Sequence, residues 1–425
     1  MSDRPGRRHA PKGHNRSHLR RAWTFREFRG VMIAQVASDA GDQIARVALA
    51  LLVLERTGSA FGAAATFAVA FVPAFFGAAL LGPLADRLSR RTLMLGADLG
   101  RAVIITVLAL VATDTAPLPL LFALLLAAEF LTPVFDAART ATIPTILPEP
   151  PLVTAGMGLS RTLHLSNQVI GLLIGGVVVT VLNPRAALLL DALSFVVSFL
   201  LLSAMLAPRR ALLAGRTTPR ALLRDLREGS SMLWADPSRR ALIGLAWFLV
   251  IAVVAPEGLG LAYSVSVGAE DYWGGALMAA PLAGAALGSL LIARLEPVGQ
   301  LDRMLPLAAL SWTPLLLTGF EPPLPVLAAL WFVSGGLQAY FVSIMALTTL
   351  LTRDEHRGRV TGIASAGFSV CSVIGLLLAG ALADLTSPAF AVTLIAAGGL
   401  AVVGVASLLW PTQTLRHDVL GLESY

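Results

Sequence analysis

Apolar residues fall in twelve long stretches, at roughly 30–54, 61–84, 92–113, 118–142, 153–181, 186–207, 241–266, 273–294, 304–320, 323–351, 360–383 and 388–411. Each is near or above the ~20 residues that a helix rising ~1.5 Å per residue needs to cross a bilayer, and only the ninth is short. Barrel strands would alternate apolar and polar positions over ~10 residues, whereas these stretches are apolar on nearly every side. The pattern predicts an all-α membrane protein with twelve transmembrane helices.

Charge orients it. Of 32 Lys and Arg, nine precede the first span, three fall at 87–91, eight at 209–240 and three at 353–359, with further ones at Arg139, Arg294, Arg303 and Arg416. Only Arg56 and Arg185 lie in the alternate loops. Because basic loops stay inside, both termini are expected in the cytoplasm. A composition 56% hydrophobic and 14% charged excludes a soluble monomer. The net charge of +6 fits loops against anionic lipid and, with no aromatic-interleaved basic surface, gives no nucleic-acid partner. The single cysteine, Cys371, excludes a disulfide framework or a cysteine metal site. Arginine outnumbers lysine 31 to one, pointing to a GC-rich bacterial genome and hence a bacterial cell membrane.

Five regions follow: a disordered basic tail (1–26), a six-helix bundle (27–207), a linker (208–240), a second six-helix bundle (241–411) and a short tail (412–425). In the linker Leu222, Leu223, Leu226, Leu233 and Trp234 recur at helical spacing beside arginines, as in an amphipathic surface helix. QVIGLLIGG at 168–176 matches SVIGLLLAG at 372–380, at equivalent places in the two halves, as a duplicated transporter predicts. The glycines of these segments, Gly171, Gly175, Gly176, Gly375 and Gly380, are candidate helix-packing positions.

GPLADRLSRR, Gly82 to Arg91, lies between spans two and three and resembles the Gly-x-x-x-Asp-Arg-x-Gly-Arg-Arg signature of the major facilitator superfamily, with Ser89 in place of the second glycine. The wider pattern is similar to the branch holding macrolide-efflux and enterobactin-export proteins. The resemblance implies two bundles rocking about a central cavity. It also implies a cytoplasmic latch, in which Asp86 accepts from the amides opening helix eleven, near Arg359, with Gly82, Arg87, Arg90, Arg91 and Glu355 in the same network. Asn167, Gly171, Leu172, Gly175 and Gly176 occupy the slots of a helix-five pattern that the family associates with proton antiport.

Charges inside spans need a reason, at about 2.5–3.5 kcal/mol each on insertion scales. Gln35, Asp39, Asp42, Gln43 and Arg46 form one stripe of helix one, and Glu129, Thr132, Asp136 and Arg139 one face of helix four. In the family both helices line the cavity. Asp39, Asp42 and Glu129 are therefore the expected proton-coupling carboxylates, since crowding like charges away from water favours protonation. The alternative is that they pair with Arg46, Arg101 or Arg161 and only brace the bundle. Asp98 and Arg101 read as a local pair outside the cavity. Arg161, His164 and Gln168 share a face of helix five.

The second half contributes Glu257 as its deep carboxylate and a helix-ten stripe of Trp331, Ser334, Gln338, Phe341 and Met345, suited to amphiphilic ligands or to plain packing. With Gln35, Gln43 and Arg46 these complete the expected cavity. The expected activity is proton-coupled efflux of hydrophobic or amphiphilic small molecules by a monomer, with a proton gradient and no cofactor. A proton-coupled importer or a lysolipid translocase is the alternative on the same scaffold. An enzyme is disfavoured because the chain carries no nucleophile arrangement, His-Glu-x-x-His motif or phosphate loop.

Overall fold

A computed structural model describes residues 13–73, 89–113, 115–209 and 219–423. Among these the chain is all-helical. In order the helices are α1 (Gly13–Ala22), α2 (Arg26–Thr57), α3 (Ala60–Val69), α4 (Arg90–Val111), α5 (Leu118–Glu129), α6 (Thr132–Ile146), α7 (Pro150–Val181), α8 (Pro184–Met205), α9 (Pro219–Ala235), α10 (Pro237–Val253), α11 (Ala255–Ser266), α12 (Tyr272–Ile292), α13 (Pro297–Leu316), α14 (Leu324–Leu337), α15 (Tyr340–Leu350), α16 (Asp354–Leu385), α17 (Pro388–Leu409) and α18 (Thr412–Glu423).

The ends of these helices are written locally. Ser89, Asn183, Asp236 and Ser387 cap the starts of α4, α8, α10 and α17 with side-chain acceptors, and proline opens α7, α8, α10 and α17, where a missing N–H costs nothing. Gly58 ends α2 in the left-handed region (φ 64°), its N–H closing on the Leu54 carbonyl at 2.7 Å.

Nine helical segments among the described residues are long and apolar enough to cross a membrane, counting α5 with α6, α10 with α11 and α14 with α15 as single crossings. Helices α2, of 32 residues, and α13, of 20, are as long. The charged stripe of α2 lowers its apolar character. Their outward faces carry exposed Leu99, Val103, Leu193, Leu200, Phe248, Leu290 and Leu408, which only a hydrocarbon solvent accepts in such density.

Helices before residue 209 pack chiefly on one another, α2 lying between α7 and α8, and those after 219 do likewise around α12, α14 and α16. The two groups meet where α3 runs along α16 and α7 along α12. These contacts lie at the end opposite the termini, since α2 and α16 finish there. Glycine sets the approach: a side chain on Gly176 would come within 3.1 Å of the Gly275 Cα, and one on Gly380 within 2.6 Å of the Phe61 Cα. Gly171 lies against Gln43, Gly175 against Val47 and Gly375 against the Ile251 carbonyl.

Among the described residues, three of the nine apolar crossings are broken, each near the middle of its sequence. Helix α5 gives way to α6 between Glu129 and Thr132, just before Pro133; α10 gives way to α11 at Val254, before Pro256; α14 gives way to α15 at Gln338, after Gly335 and Gly336. A proline lacks the donor that continues the ladder, and glycine weakens it.

The tails correct an expectation. Residues 1–26 were expected to be irregular, yet Gly13–Ala22 is helical and Arg21 makes a two-pronged ion pair with Glu149 (2.7 and 3.0 Å). In the C-terminal tail α18 buries Leu415 and Val419, and Asp418 accepts from Ser238 Oγ at 2.6 Å. Short polar sequences form these helices because tertiary contacts hold them. The linker helix α9 packs on α16 and α10: Leu233 is buried, Trp234 meets Trp247 edge to face (6.1 Å), and Glu228 pairs with Arg359 at 2.7 Å.

Candidate functional site

The polar stripe of α2 faces α5, α6 and α7. Gln35 is fully buried, its amide nitrogen donating to the Ser160 carbonyl (2.9 Å) and its oxygen accepting from Ser160 Oγ (2.8 Å). One turn on, Asp39 meets His164 Nδ1 at 3.1 Å through one oxygen and Arg139 at 3.9 Å through the other. Arg139 also holds Asp136 at 3.0 Å. Next, Asp42 lies 3.8 Å from Arg101 Nη1. Arg46 grips Glu129 with both Nε and Nη2 at 2.9 Å. Thr132 Oγ1 ties the two pairs together, accepting from Arg101 Nη1 at 3.1 Å while lying 3.5 Å from Glu129.

This arrangement overrides local spacing twice. The spacing of Asp42 and Arg46 suits a pair on one helix, but each reaches across to another helix. Arg101 was expected to pair with Asp98 away from the site, whereas Asp98 accepts from Ser198 Oγ at 2.6 Å and Arg101 turns to Asp42, stacked on the Phe195 ring at 4.0 Å. Asp191, absent from the sequence reading, stands behind Asp42 and Arg101 in the same buried pocket. An acid inside an apolar helix was its signal. Pro133, Pro256 and the Gly335–Gly336 pair were a second unread signal: the three breaks place Glu129, Glu257 and Gln338 beside interrupted backbone.

A cavity of about 170 Å³ opens between the halves. Asp39, Asp42, Gln43 and Arg46 line it from α2, Phe67 and Phe71 from the α3 region, His164 and Gln168 from α7, and Glu257 from α11. Glu257 is thus the second half's carboxylate at this chamber, where it feels the Arg46 charge. A neighbouring cavity of about 310 Å³ holds Asp136, Arg139, Arg161 and His164.

The helix-ten stripe divides at its break. Trp331 and Ser334 are fully buried: the indole N–H donates to Thr318 Oγ1 (3.0 Å), the ring meets Tyr263 edge to face, and Ser334 Oγ donates to the Ser311 carbonyl (2.7 Å). Gln338 lies 3.4 Å from Ser334 Oγ. Beyond the break, Phe341 and Met345 line an open apolar groove of about 650 Å³ with Val342, Ala346, Thr349 and Leu350. Phe368 of α16 meets Phe341 edge to face at 6.3 Å.

Of the residues expected in a latch, Gly82, Asp86, Arg87 and the side chain of Glu355 lie outside the described residues. Arg90 donates to the Ala141 carbonyl (2.6 Å) near the end of α6, and Arg91 to the Ser203 carbonyl (2.8 Å) near the end of α8, where cations complement the helix dipole.

A helical membrane protein with a charged chamber between its two halves belongs to the class of transporters. The family model of the Major Facilitator Superfamily matches residues 31–295 and 239–424, and the chain belongs to that family. It is 26% identical over 378 residues to the multidrug efflux pump Tap of Mycolicibacterium fortuitum, covering 83% of this chain and 88% of that protein. It is 26% identical over 219 residues to macrolide efflux protein A of Streptococcus pyogenes, covering 51% and 53%. In fold it is similar to the nucleoside transporter NupG (TM-score 0.67, 12% identity, 94% and 99% covered) and to a peptide transporter POT mutant bound to sulfate (TM-score 0.70, 11% identity, 97% of each). These relatives and structural neighbours are transporters, not enzymes.

Proposed function

We propose that this transporter exports hydrophobic or amphiphilic small molecules in exchange for protons, by alternating access across a bacterial cytoplasmic membrane. On this reading α2, the apolar stretch at 61–84 and α13 join the nine apolar helices as twelve spans, and the arginine-rich loops support cytoplasmic termini. Residues 27–207 and 241–411 are then the two rocking bundles, joined by the linker at 208–240, and the chain works as a monomer.

The observation that carries the reading is the charge inventory of the chamber. Asp39, Asp42, Glu129, Asp136, Asp191 and Glu257 line its three neighbouring pockets, against Arg46, Arg101, Arg139, Arg161 and His164. The six carboxylates outnumber the four arginines, and in a region drawn out of water protons relieve that surplus. The pairs are unequal: Arg46 holds Glu129 at 2.9 Å with two nitrogens, whereas Asp42 lies 3.8 Å from Arg101, and Asp39 lies 3.9 Å from Arg139 with His164 as its nearer partner at 3.1 Å. Glu129 is the fixed counter-ion, and Asp42 and Asp39 are the carriers that exchange protons as the chamber opens to either side. The groove at Phe341 and Met345 takes the apolar body of the substrate, and no cofactor is needed. Relatives named as efflux pumps support the outward direction.

Purified protein in liposomes, given a pH gradient and a panel of dyes and macrolides, tests this. Gradient-driven movement that a protonophore stops, and that Asp39→Asn and Asp42→Asn uncouple from the gradient, is expected. Unchanged gradient dependence in Asp39→Asn, Asp42→Asn and Glu129→Gln would end the proton-exchange reading.

A further inference from the structure

The far end of α16 reaches across to the other half. Asp384 accepts from Ser59 Oγ at 2.6 Å and from the Ala60 N–H at 2.6 Å, and its other contacts reach the Phe61 N–H at 3.3 and 3.4 Å. These are the first-turn donors of α3, which have no carbonyl of their own to bond. Ser59 supplies the remaining cap, its Oγ accepting from the Gly62 N–H at 3.1 Å. A carboxylate from a helix more than 320 residues away thus completes the cap of α3 and meets the positive end of its dipole.

We propose that Asp384 is the latch holding the two halves shut at the face opposite the termini, on the alternating-access reading above. Separating the halves there strips α3 of a charged acceptor and returns Asp384 to water. The contact therefore exists in one state of the cycle and not in the other, which is what biases a two-state equilibrium. Asp384 is already exposed on its outer side, so release does not strand a buried charge. One turn earlier Gly380 lets the backbones touch: a methyl group there would meet the Phe61 Cα at 2.6 Å and the Ala60 carbonyl oxygen at 3.0 Å. The resemblance gives Asp86 the same office at the opposite face, toward the start of α16. The same helix pair would then be latched at either end, each helix capping the other in turn.

Spin labels test this on the full chain in lipid discs, with Cys371→Ser as background. One pair, Leu182→Cys and Val267→Cys, straddles the halves at the Asp384 face; a second, Thr154→Cys and Leu350→Cys, straddles them at the opposite face. In Asp384→Ala the first pair is expected to shift about tenfold toward its long-distance population, and the second toward its short one, as loss of a charge-assisted bond set predicts. Gly380→Ala should move both pairs the same way. Unchanged populations in Asp384→Ala overturn the latch. If that variant fails to fold, Ser59→Ala removes the hydroxyl donor to Asp384 together with the Oγ cap on the Gly62 N–H and should shift the first pair about threefold; no shift there overturns it equally. The distances are read without substrate or gradient. A chain that exports nothing therefore ends the exporter reading and leaves this measurement standing.

Discussion

The chamber wall built before residue 209 and the wall built after 219 are chemically opposite. The first buries Gln35, Glu129, Arg101 and Arg139 with Asp39 and Asp42 beside them, so that charges on α2, α4, α5, α6 and α7 depend on one another. The second pairs Ser334 with the Ser311 carbonyl and Trp331 with Thr318 within itself, and carries an apolar groove at Phe341 and Met345. Among the described residues lining the chamber, Glu257 is the charged one from that side. A low-dielectric site holding many like charges is suited to moving protons, and an apolar, adaptable groove to gripping ligands of varied shape. On the proposed function the contrast would divide energy coupling from ligand binding by half, and substitutions should respect that line.

The largest effect is expected at the tightest pair. Arg46→Met leaves Glu129 buried without its partner, a loss on the order of 3–5 kcal/mol. Adding Glu129→Met should restore most of the stability, because replacing both members of a buried pair by apolar groups is far cheaper than removing one. Thermal unfolding in detergent measures both. A double variant as unstable as the single one would mean that Arg46 serves Asp42 or Glu257 more than Glu129. Next comes Asp42→Asn, which keeps the shape of the side chain but not its proton exchange. Gradient-driven transport should fall roughly tenfold, equivalent to about 1.4 kcal/mol, while substrate still binds. Liposome flux with and without a pH gradient, beside dye binding to the purified variant, separates the two quantities.

The sequence carried the crossings openly, because lipid leaves a helix no choice but to bond its own backbone and turn apolar side chains outward. It also carried the α2 stripe, since helical spacing puts Gln35, Asp39, Asp42, Gln43 and Arg46 on one face. It did not carry the partners. Arg101 is three residues from Asp98 and on another helix from Asp42, and local spacing favours the wrong one. What decides is how closely the helices approach, as where Gly171 lets α7 lie against Gln43. The helix-ten stripe misled for a different reason: the periodicity that joins Trp331 to Met345 assumes an unbroken helix, and Gln338 interrupts it. Beyond that break the same spacing points somewhere else.

The groove can be challenged directly. Phe341→Ala with Met345→Ala removes two partly buried apolar side chains from the groove, and apparent affinity for bulky apolar substrates should weaken about tenfold, from ~1–2 kcal/mol of lost contact. Gradient dependence should not change. Altered coupling in this variant, measured in the same liposomes, would erase the division of labour between the walls.

The smallest effect tests where binding stops and packing begins. Trp331→Phe keeps a ring against Tyr263 but removes the indole N–H that donates to Thr318 Oγ1, leaving that hydroxyl to find another partner within a sealed interior. The cost is about 1 kcal/mol, visible as a modest drop in unfolding temperature. Substrate affinity should stay as it was, because Trp331 is buried behind the break while Phe341 and Met345 stand beyond it at the groove. An affinity loss matching that of the Phe341 and Met345 double variant would show that ligand reaches past Gln338. The apolar wall would then include the upper half of helix ten, and its sealed state here would be one that substrate opens.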